Sequence, residues 1–349
     1  MPSNKNKKLP AEQAFAGVQL SLFQSFLCNS DDERDRLSNT VELWDSLPKY
    51  AISQQSMNRV RTGEGLLPRL DKSVVYKQQE YRLRITAAII DDENSQPKAY
   101  YPSANEELVE DALRKIAAEQ NQGFFDRSSF KSGVVFSLHL LREELKRRGH
   151  TRSYQEITRS LQILAGSNIE ILFPDGTGFA TTSYFPALAV VSKKKIQEDP
   201  NARWVAHFHP LVTQSIDQLS YRQYNYHLMM SHTTQLARWL HKRLSNNYTN
   251  ASLAIAYHIR LSSIRRDSGL LQYKRTNDAT RKLEKAFQEL VDHKVILSFN
   301  REEQRGPKNK ILDIKYTLTP HQAFIADVKA ANRRQKDSRS QLGDPAHSV

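Results

Sequence analysis

His207 and His209 stand two residues apart in a β-prone run, Trp204 to His209, so a strand would place both imidazoles on one face, where they could share a divalent metal. Tyr221, Tyr224 and Tyr226 follow closely, and a tyrosine beside such a metal can attack a DNA phosphodiester. A metal site needs a third ligand, for which Asp217 is the candidate; the plainer reading is a histidine pair beside Trp204 at a domain seam. Asp91, Asp92 and Glu93 also gather carboxylates, in a turn-like context that suits a solvated acidic loop. No Gly-x-x-x-x-Gly-Lys-Ser/Thr run occurs, which argues against an ATP-driven motor. Cys28 is the single cysteine, so neither an intrachain disulfide nor a cysteine-built metal cage can form. The chain reads as a non-enzyme that needs no metal and no cofactor.

Charge points to binding. Lys and Arg number 51 against 38 Asp and Glu, a net +13, so a polyanion is the first partner to consider. The richest stretch runs from His258 to Leu318. Within it, Ala279, Leu283, Ala286, Phe287, Leu290 and Val291 recur at offsets of three and four, which predicts a helix over 277–293 with that face packed inward. The other face carries Asn277, Asp278, Arg281, Lys282, Lys285 and Gln288. Thr276 or Asn277 can cap the first N–H groups, and His293 with Lys294 suits the negative end of the helix dipole. A shorter segment ending in Ser262 to Gly269 precedes this helix. Val295 to Phe299 and Ile311 to Leu318 follow as strands, joined by the basic, turn-rich run Asn300 to Lys310. The order is helix, turn, helix, wing. A polar, basic helix fits a major groove, and a basic hairpin can lie along phosphates. For one such segment alone, the bland alternative is a surface helix with solvated charges.

The elements that must position these groups come in two similar sets. At ~100–200 residues per domain, 349 residues allow two or three domains, and two are expected. Upstream, Val74 to Tyr76 and Tyr81 to Ala87 read as strands, and 105–122, 134–148 and 153–165 as helices. Ile169 to Phe173, the turn Pro174 to Gly178, and Phe179 to Val191 read as a hairpin. Helix, helix, helix, hairpin thus occurs first here, and again after a connection over 211–226, beginning with a helix over 228–246. The expected layout is a largely flexible arm over 1–60, a winged-helix domain over 61–215, a second over 216–325, and a disordered basic tail over 326–349. The fold class is α+β: two tandem winged-helix domains, a flexible N-terminal arm and a basic C-terminal tail. Met1 to Pro10 is lysine-rich with no apolar core behind it, and no run of ~18 apolar residues exists, so neither a signal peptide nor a membrane span is expected. Cytoplasmic residence follows.

In the arm, Gln19-Leu20-Ser21-Leu22-Phe23 resembles the linear motif by which replication proteins dock on the bacterial sliding clamp. The resemblance makes Gln19 a polar anchor, Ser21 the small spacer, and Leu20, Leu22 and Phe23 an apolar plug. Such a plug is costly to leave in water and useful as a partner's hot spot. The alternative is one turn of a short helix, with Phe26 and Leu27, packed on the body.

Tandem winged helices and this arm in one basic chain resemble the plasmid replication initiators, most closely the TrfA type. The resemblance implies binding to double-stranded origin DNA at short direct repeats (iterons), melting or capture of an adjacent single-stranded AT-rich element, and recruitment of the sliding clamp, the host initiator and the replicative helicase. A homodimer formed through the first domain is also implied. By the same resemblance, Thr276, Asn277, Thr280, Arg281 and Lys285, with Lys282 on the same basic face, read bases, because Arg and Asn can bond guanine and adenine edges bidentately. Arg301, Arg305, Lys308 and Lys310 neutralise phosphate. In the first domain, Arg152, Arg159 and Lys193 to Lys195 are the counterparts, although a dimer would divert its hairpin from DNA. Two other functions share these elements: a transcriptional regulator, which has no use for Gln19 to Phe23, and a rolling-circle nuclease, which needs His207, His209 and a tyrosine to converge.

Overall fold

The computed structural model describes residues 35–92, 95–118, 123–192 and 199–342. Two hydrophobic cores divide them, one drawing on residues from Val41 to Met230 and one from Leu236 to Val328.

The first core begins earlier than the sequence suggests. Strand β1 (Leu37–Val41) pairs antiparallel with β12 (Tyr221–Asn225), and helix α1 (Glu42–Ser46) follows, then α2 (Gln54–Val60). Val41, Trp44, Leu47, Tyr50 and Met57 are buried, so 37–60 belongs to the first domain and not to a flexible arm. Val41, Trp44, Leu47 and Tyr50 recur every third residue, but the segment passes from strand through a five-residue helix into irregular chain, so no single element carries the spacing and only packing against the later helices reveals it. Strands β2 (Leu70–Tyr76) and β3 (Gln79–Thr86) form a hairpin, and β4 (Ala88–Asp91) pairs with β5 (Pro97–Tyr100).

Helix α3 (Ala104–Ala118) is the axis of this domain and packs against β1 and against the strands and helices that follow it. Strands β6 (Gly123–Asp126) and β7 (Lys131–Phe136) come next, so Val134 to Phe136, expected to open a helix, lie in a strand. Val134 and Val135 favour the pleat. Ser137 then accepts from the Leu140 N–H and starts α4 (Leu138–Arg147). Helix α5 (Tyr154–Gly166) opens with a reciprocal capping box between Ser153 and Glu156. Strands β8 (Asn168–Leu172) and β9 (Phe179–Ser183) form the expected hairpin and join a sheet ordered β2-β3-β8-β9. Strand β10 (Leu188–Val191) leaves that hairpin for another sheet, β10-β11-β7-β6, through β11 (Arg203–His207).

Helix α6 (Pro210–Asp217), β12 and α7 (Tyr226–Ser231) still pack into the first core, where Val212, Ile216, Tyr224, Tyr226 and Met229 are buried. The boundary therefore falls at His232 to Thr234, which also splits the helix expected over 228–246. Thr234 caps α8 (Gln235–Asn247). The second domain continues with β13 (Tyr257–Arg260), α9 (Leu261–Ser268), α10 (Thr276–Asp292), β14 (Ile296–Arg305) and β15 (Ile311–Pro320), in a sheet ordered β13-β15-β14. Gly269 ends α9 at φ 65°, and a Cβ there would stand 2.5 Å from the Ala51 side chain of the first domain.

Residues 322–342 form helix α11 (Gln322–Leu342), which corrects the expectation of a disordered tail from 326. Phe324, Ile325 and Val328 enter the second core, and Asn332 and Gln335 accept from the Arg222 guanidinium on β12 at 2.6 and 3.2 Å. The basic character of this segment hid an apolar row at helical spacing.

A buried charge cluster joins the domains. Arg238 and Lys242 of α8 reach Glu107 and Asp111 of α3, with Lys242 Nζ 2.5 Å from Asp111 and 3.4 Å from Glu107. Arg114 grips Asp45 bidentately at 2.8 Å and also bonds Asp111. Burial by itself would raise the Asp45 carboxyl, but Arg114 and Lys49 beside it hold it far below the usual carboxylate range. Glu110 accepts from both Trp44 and Tyr50.

Three histidines line the same seam. His232 bonds His241 at 3.0 Å and His293 at 2.9 Å. Burial, and then the neighbouring imidazoles, push His232 down to about 2; burial and His293 push His241 down to about 3, and burial with Lys49 does the same for His209. An unfolded chain would protonate each near pH ~6.5. Their stabilisation is therefore complete above that pH and falls as pH drops below it, by up to about 1.4 kcal/mol per pH unit for each imidazole. Urea midpoints are expected to fall steeply between about pH 6.5 and 5, and His241→Gln should make that slope shallower. A flat profile in the native chain would contradict the assignment.

Candidate nucleic-acid interface

Helix α10 buries Ala279, Leu283, Ala286, Phe287 and Leu290. Asn277, Arg281, Lys282, Lys285 and Gln288 are exposed on its outer face. The Arg281 side chain is 83% exposed and reaches only Asp278, at 3.0 Å, one turn back. Two expectations need correction. Thr280 is buried, because it lies three and seven residues before Leu283 and Phe287 and so shares their face. Neither Thr276 nor Asn277 caps the helix; the N-cap is Arg275, which makes no side-chain cap bond, and Thr276 is the first helical residue.

The turn before α10 adds groups that sequence reasoning passed over. Tyr273, Lys274 and Arg275 are exposed, and Arg265 fixes this turn by donating to the carbonyls of Leu271 and Tyr273 at 3.0 and 3.4 Å. The signal was a Gln-Tyr-Lys-Arg run between two helices, which reads as a linker until it is seen at a helix N-terminus.

The hairpin is longer than expected. Residues 300–305 are strand, and the turn occupies only Gly306 to Lys310, closed by the Gly306 N–H donating to the Lys310 carbonyl at 2.8 Å. Phe299 packs on Phe287 at 5.2 Å, and Arg301 reaches Glu284 at 3.2 Å, so the hairpin runs back along the middle of α10. Arg301 also pairs with Glu303 at 2.7 Å, and Arg305 pairs with the same carboxylate. Both arginines are exposed but already serve acidic neighbours. Lys308 and Lys310, at the turn, are exposed.

The first domain repeats the arrangement with its cations turned inward. Arg152, half-buried, donates to Asn105 at 2.8 Å, and Arg159 stacks on Tyr100, its guanidinium 4.5 Å from the ring centre, with Arg61 5.2 Å from the same ring. Arg159 thus ties α5 to β5, and Arg152 ties the loop before α5 to α3. The hairpin β8–β9 has β3 along one edge. Lys193 to Lys195 lie outside the described residues, as do Gln19 to Phe23.

The histidine and tyrosine positions do not form one site. His209 lies beyond β11, caps α6 by accepting from the Leu211 N–H, and stacks on Trp44 at 4.2 Å. His207 meets the Phe124 edge, and Tyr221, Tyr224 and Tyr226 are buried in the first core. Among the described residues, no group of three His, Cys, Asp or Glu side chains is placed to hold a metal. No helix among them is long and apolar enough to cross a membrane.

A three-helix unit closed by an antiparallel hairpin, present twice in one chain, defines a tandem winged-helix protein. The crystal structure of domains 2 and 3 of RctB is similar to it, with a TM-score of 0.50 and 10% identity over 79% of this chain and 97% of that one. The Pi initiator protein in complex with iteron DNA aligns at a TM-score of 0.39 and 12% identity, over 62% of this chain and 94% of that one. No protein-family model and no curated protein matches the sequence. The pair of winged-helix domains expected from the sequence is observed.

Because Arg159 stacks on Tyr100, Arg159→Ala should cost about 0.5–2 kcal/mol of folding stability by urea titration. Binding of the folded variant to nucleic acid should stay within about threefold, since the side chain stabilises a junction and contacts no ligand. A selective loss of binding at full stability would reverse that assignment.

Proposed function

We propose that this chain is a plasmid replication initiator that binds repeats at an origin through its two winged-helix domains, opens the adjacent AT-rich DNA and brings host replication proteins to it. The observation that carries this is the outer face of α10: Asn277, Arg281, Lys282 and Lys285 exposed together, with Lys308 and Lys310 exposed at the turn of the hairpin that packs on the middle of the same helix. A helix about 10–12 Å wide with side chains fits the ~12 Å major groove, and a hairpin beside it meets the flanking phosphates. The tandem fold shared with RctB domains 2 and 3 supports two grips on one duplex. The protein acts by binding, not catalysis, and works in the bacterial cytoplasm where the replicon lies.

In this reading, Arg281 reads a base edge and the wing lysines hold phosphate. Arg281→Ala should cost about 1–3 kcal/mol of specific binding and relax sequence choice, whereas Lys308→Ala should weaken all duplexes alike and lower the salt slope by about one. Titrations on selected and random duplexes at several salt concentrations separate the two. Equal effects of both changes on both DNAs would defeat the division between reader and wing.

The arm motif Gln19 to Phe23 would carry the sliding clamp to the origin. A clamp pull-down with full-length protein should succeed, and a Leu22→Ala, Phe23→Ala double variant should lose it without losing DNA binding. Clamp capture that ignores the double variant would overturn the motif assignment, and no capture by the native protein would favour the transcriptional-regulator reading, which shares the DNA-binding elements and makes no use of the arm.

A further inference from the structure

The turn of the second wing holds apolar side chains that phosphate neutralisation does not use. Along β15, Ile314, Tyr316 and Leu318 are buried at every second position, and Leu312 continues that series two residues further out. Yet Leu312 is 65% exposed. Gln304 pairs with Asp313 and Arg305 with Ile311, which leaves Leu312 as the extra residue of a bulge. Bulges re-aim side chains in this way. Leu312 lies against Gly306, where a Cβ would stand 2.8 Å from its Cδ1, so glycine is what lets the leucine fold over the turn. Pro307 is exposed in the same turn, and Lys308 and Asn309 hold left-handed φ values of 57° and 60°. A lysine there is strained, and such strain gathers at functional positions.

We propose that Leu312 and Pro307 form a wedge that enters the minor groove of duplex DNA and unstacks a base step, with Lys308 and Lys310 on the flanking phosphates. This wedge presupposes the DNA-binding reading above. Charge complementarity selects the occupant: an apolar pair set beside the exposed Lys308 and Lys310 suits a surface whose rim is anionic and whose floor is apolar. A stack of bases between phosphate backbones is such a surface. Position agrees, because the hairpin packs on the middle of α10, and a helix seated in the major groove leaves the adjacent minor groove to the hairpin turn. Wedges of Leu or Pro kink duplexes toward the major groove, most cheaply at flexible pyrimidine–purine steps. The same distortion would make an AT-rich element easier to open.

The test uses full-length protein and duplexes selected from a random pool on it, with 2-aminopurine scanned through the strand and fluorophores at the ends. Binding should raise 2-aminopurine fluorescence at one step and bend the duplex by about 20–90°. Leu312→Ala, at an exposed position that leaves the core intact, should abolish both signals in the complexes that form. Lys310→Ala should weaken every duplex yet leave the fluorescence rise in the complexes that still form. A native complex with neither unstacking nor bend overturns the wedge and leaves the DNA-binding reading standing. Retention of both signals in Leu312→Ala also overturns it. Failure of the native protein to bind any duplex overturns the DNA-binding reading, and the wedge with it.

Discussion

Lys242 and Arg238, held in the interior against Asp111 and Glu107, are the contact on which the arrangement of the two domains depends. Removing one partner from a buried pair costs about 3–5 kcal/mol, because the remaining charge stays out of water without compensation. Any slide of α8 along α3 would do the same. A hydrophobic seam tolerates small displacements, and this one does not. The cluster extends inward through Arg114, Asp45 and Lys49, and then to Glu110 with its two aromatic donors. Helix α11 braces the far side by bonding Arg222 on β12. The two winged helices are thus presented at one fixed orientation, which two grips on a single duplex require.

The positive charge of the chain divides between two uses. Arg114, Arg148, Arg238 and Lys242 are buried among carboxylates, and Arg159 stacks on a ring; these hold the fold together. Lys274, Arg275, Arg281, Lys282, Lys285, Lys308 and Lys310 stand in solvent on or beside α10. Net charge pointed to a polyanion without separating these sets. Their separation rests on where carboxylates and aromatic faces lie in three dimensions. It also explains the asymmetry of the domains, since α5 commits its one arginine, Arg159, to a ring of the first domain while the cations on the outer face of α10 stand in solvent.

Much of the second domain was legible in the sequence. The apolar row from Ala279 to Leu290 predicted a helix observed within one residue at each end, and the two β-prone runs predicted the hairpin. The gaps have physical causes. Val134 to Phe136 sat beside a helical pattern and were absorbed into it, although their ladder partners, Val205 among them, lie some 70 residues away. Residues 300–305 were polar enough to read as loop, because a wing strand that overhangs its core has no reason to alternate. The row Phe324, Ile325 and Val328 was hidden by the basic residues that follow it.

The sequence by itself determined the helical and strand periods, the order helix, helix, hairpin that occurs twice, the excess of cations and the outer face of α10. Those follow from local geometry, since side chains three or four apart share a helix face whatever lies around them. Tertiary structure alone decided that 37–60 and 219–230 close the first core, that Arg152 and Arg159 engage Asn105 and Tyr100 within the protein, and that Leu312 stands exposed over Gly306. Each of these depends on a partner distant in sequence or on the register of a ladder. Periodicity carries no record of either.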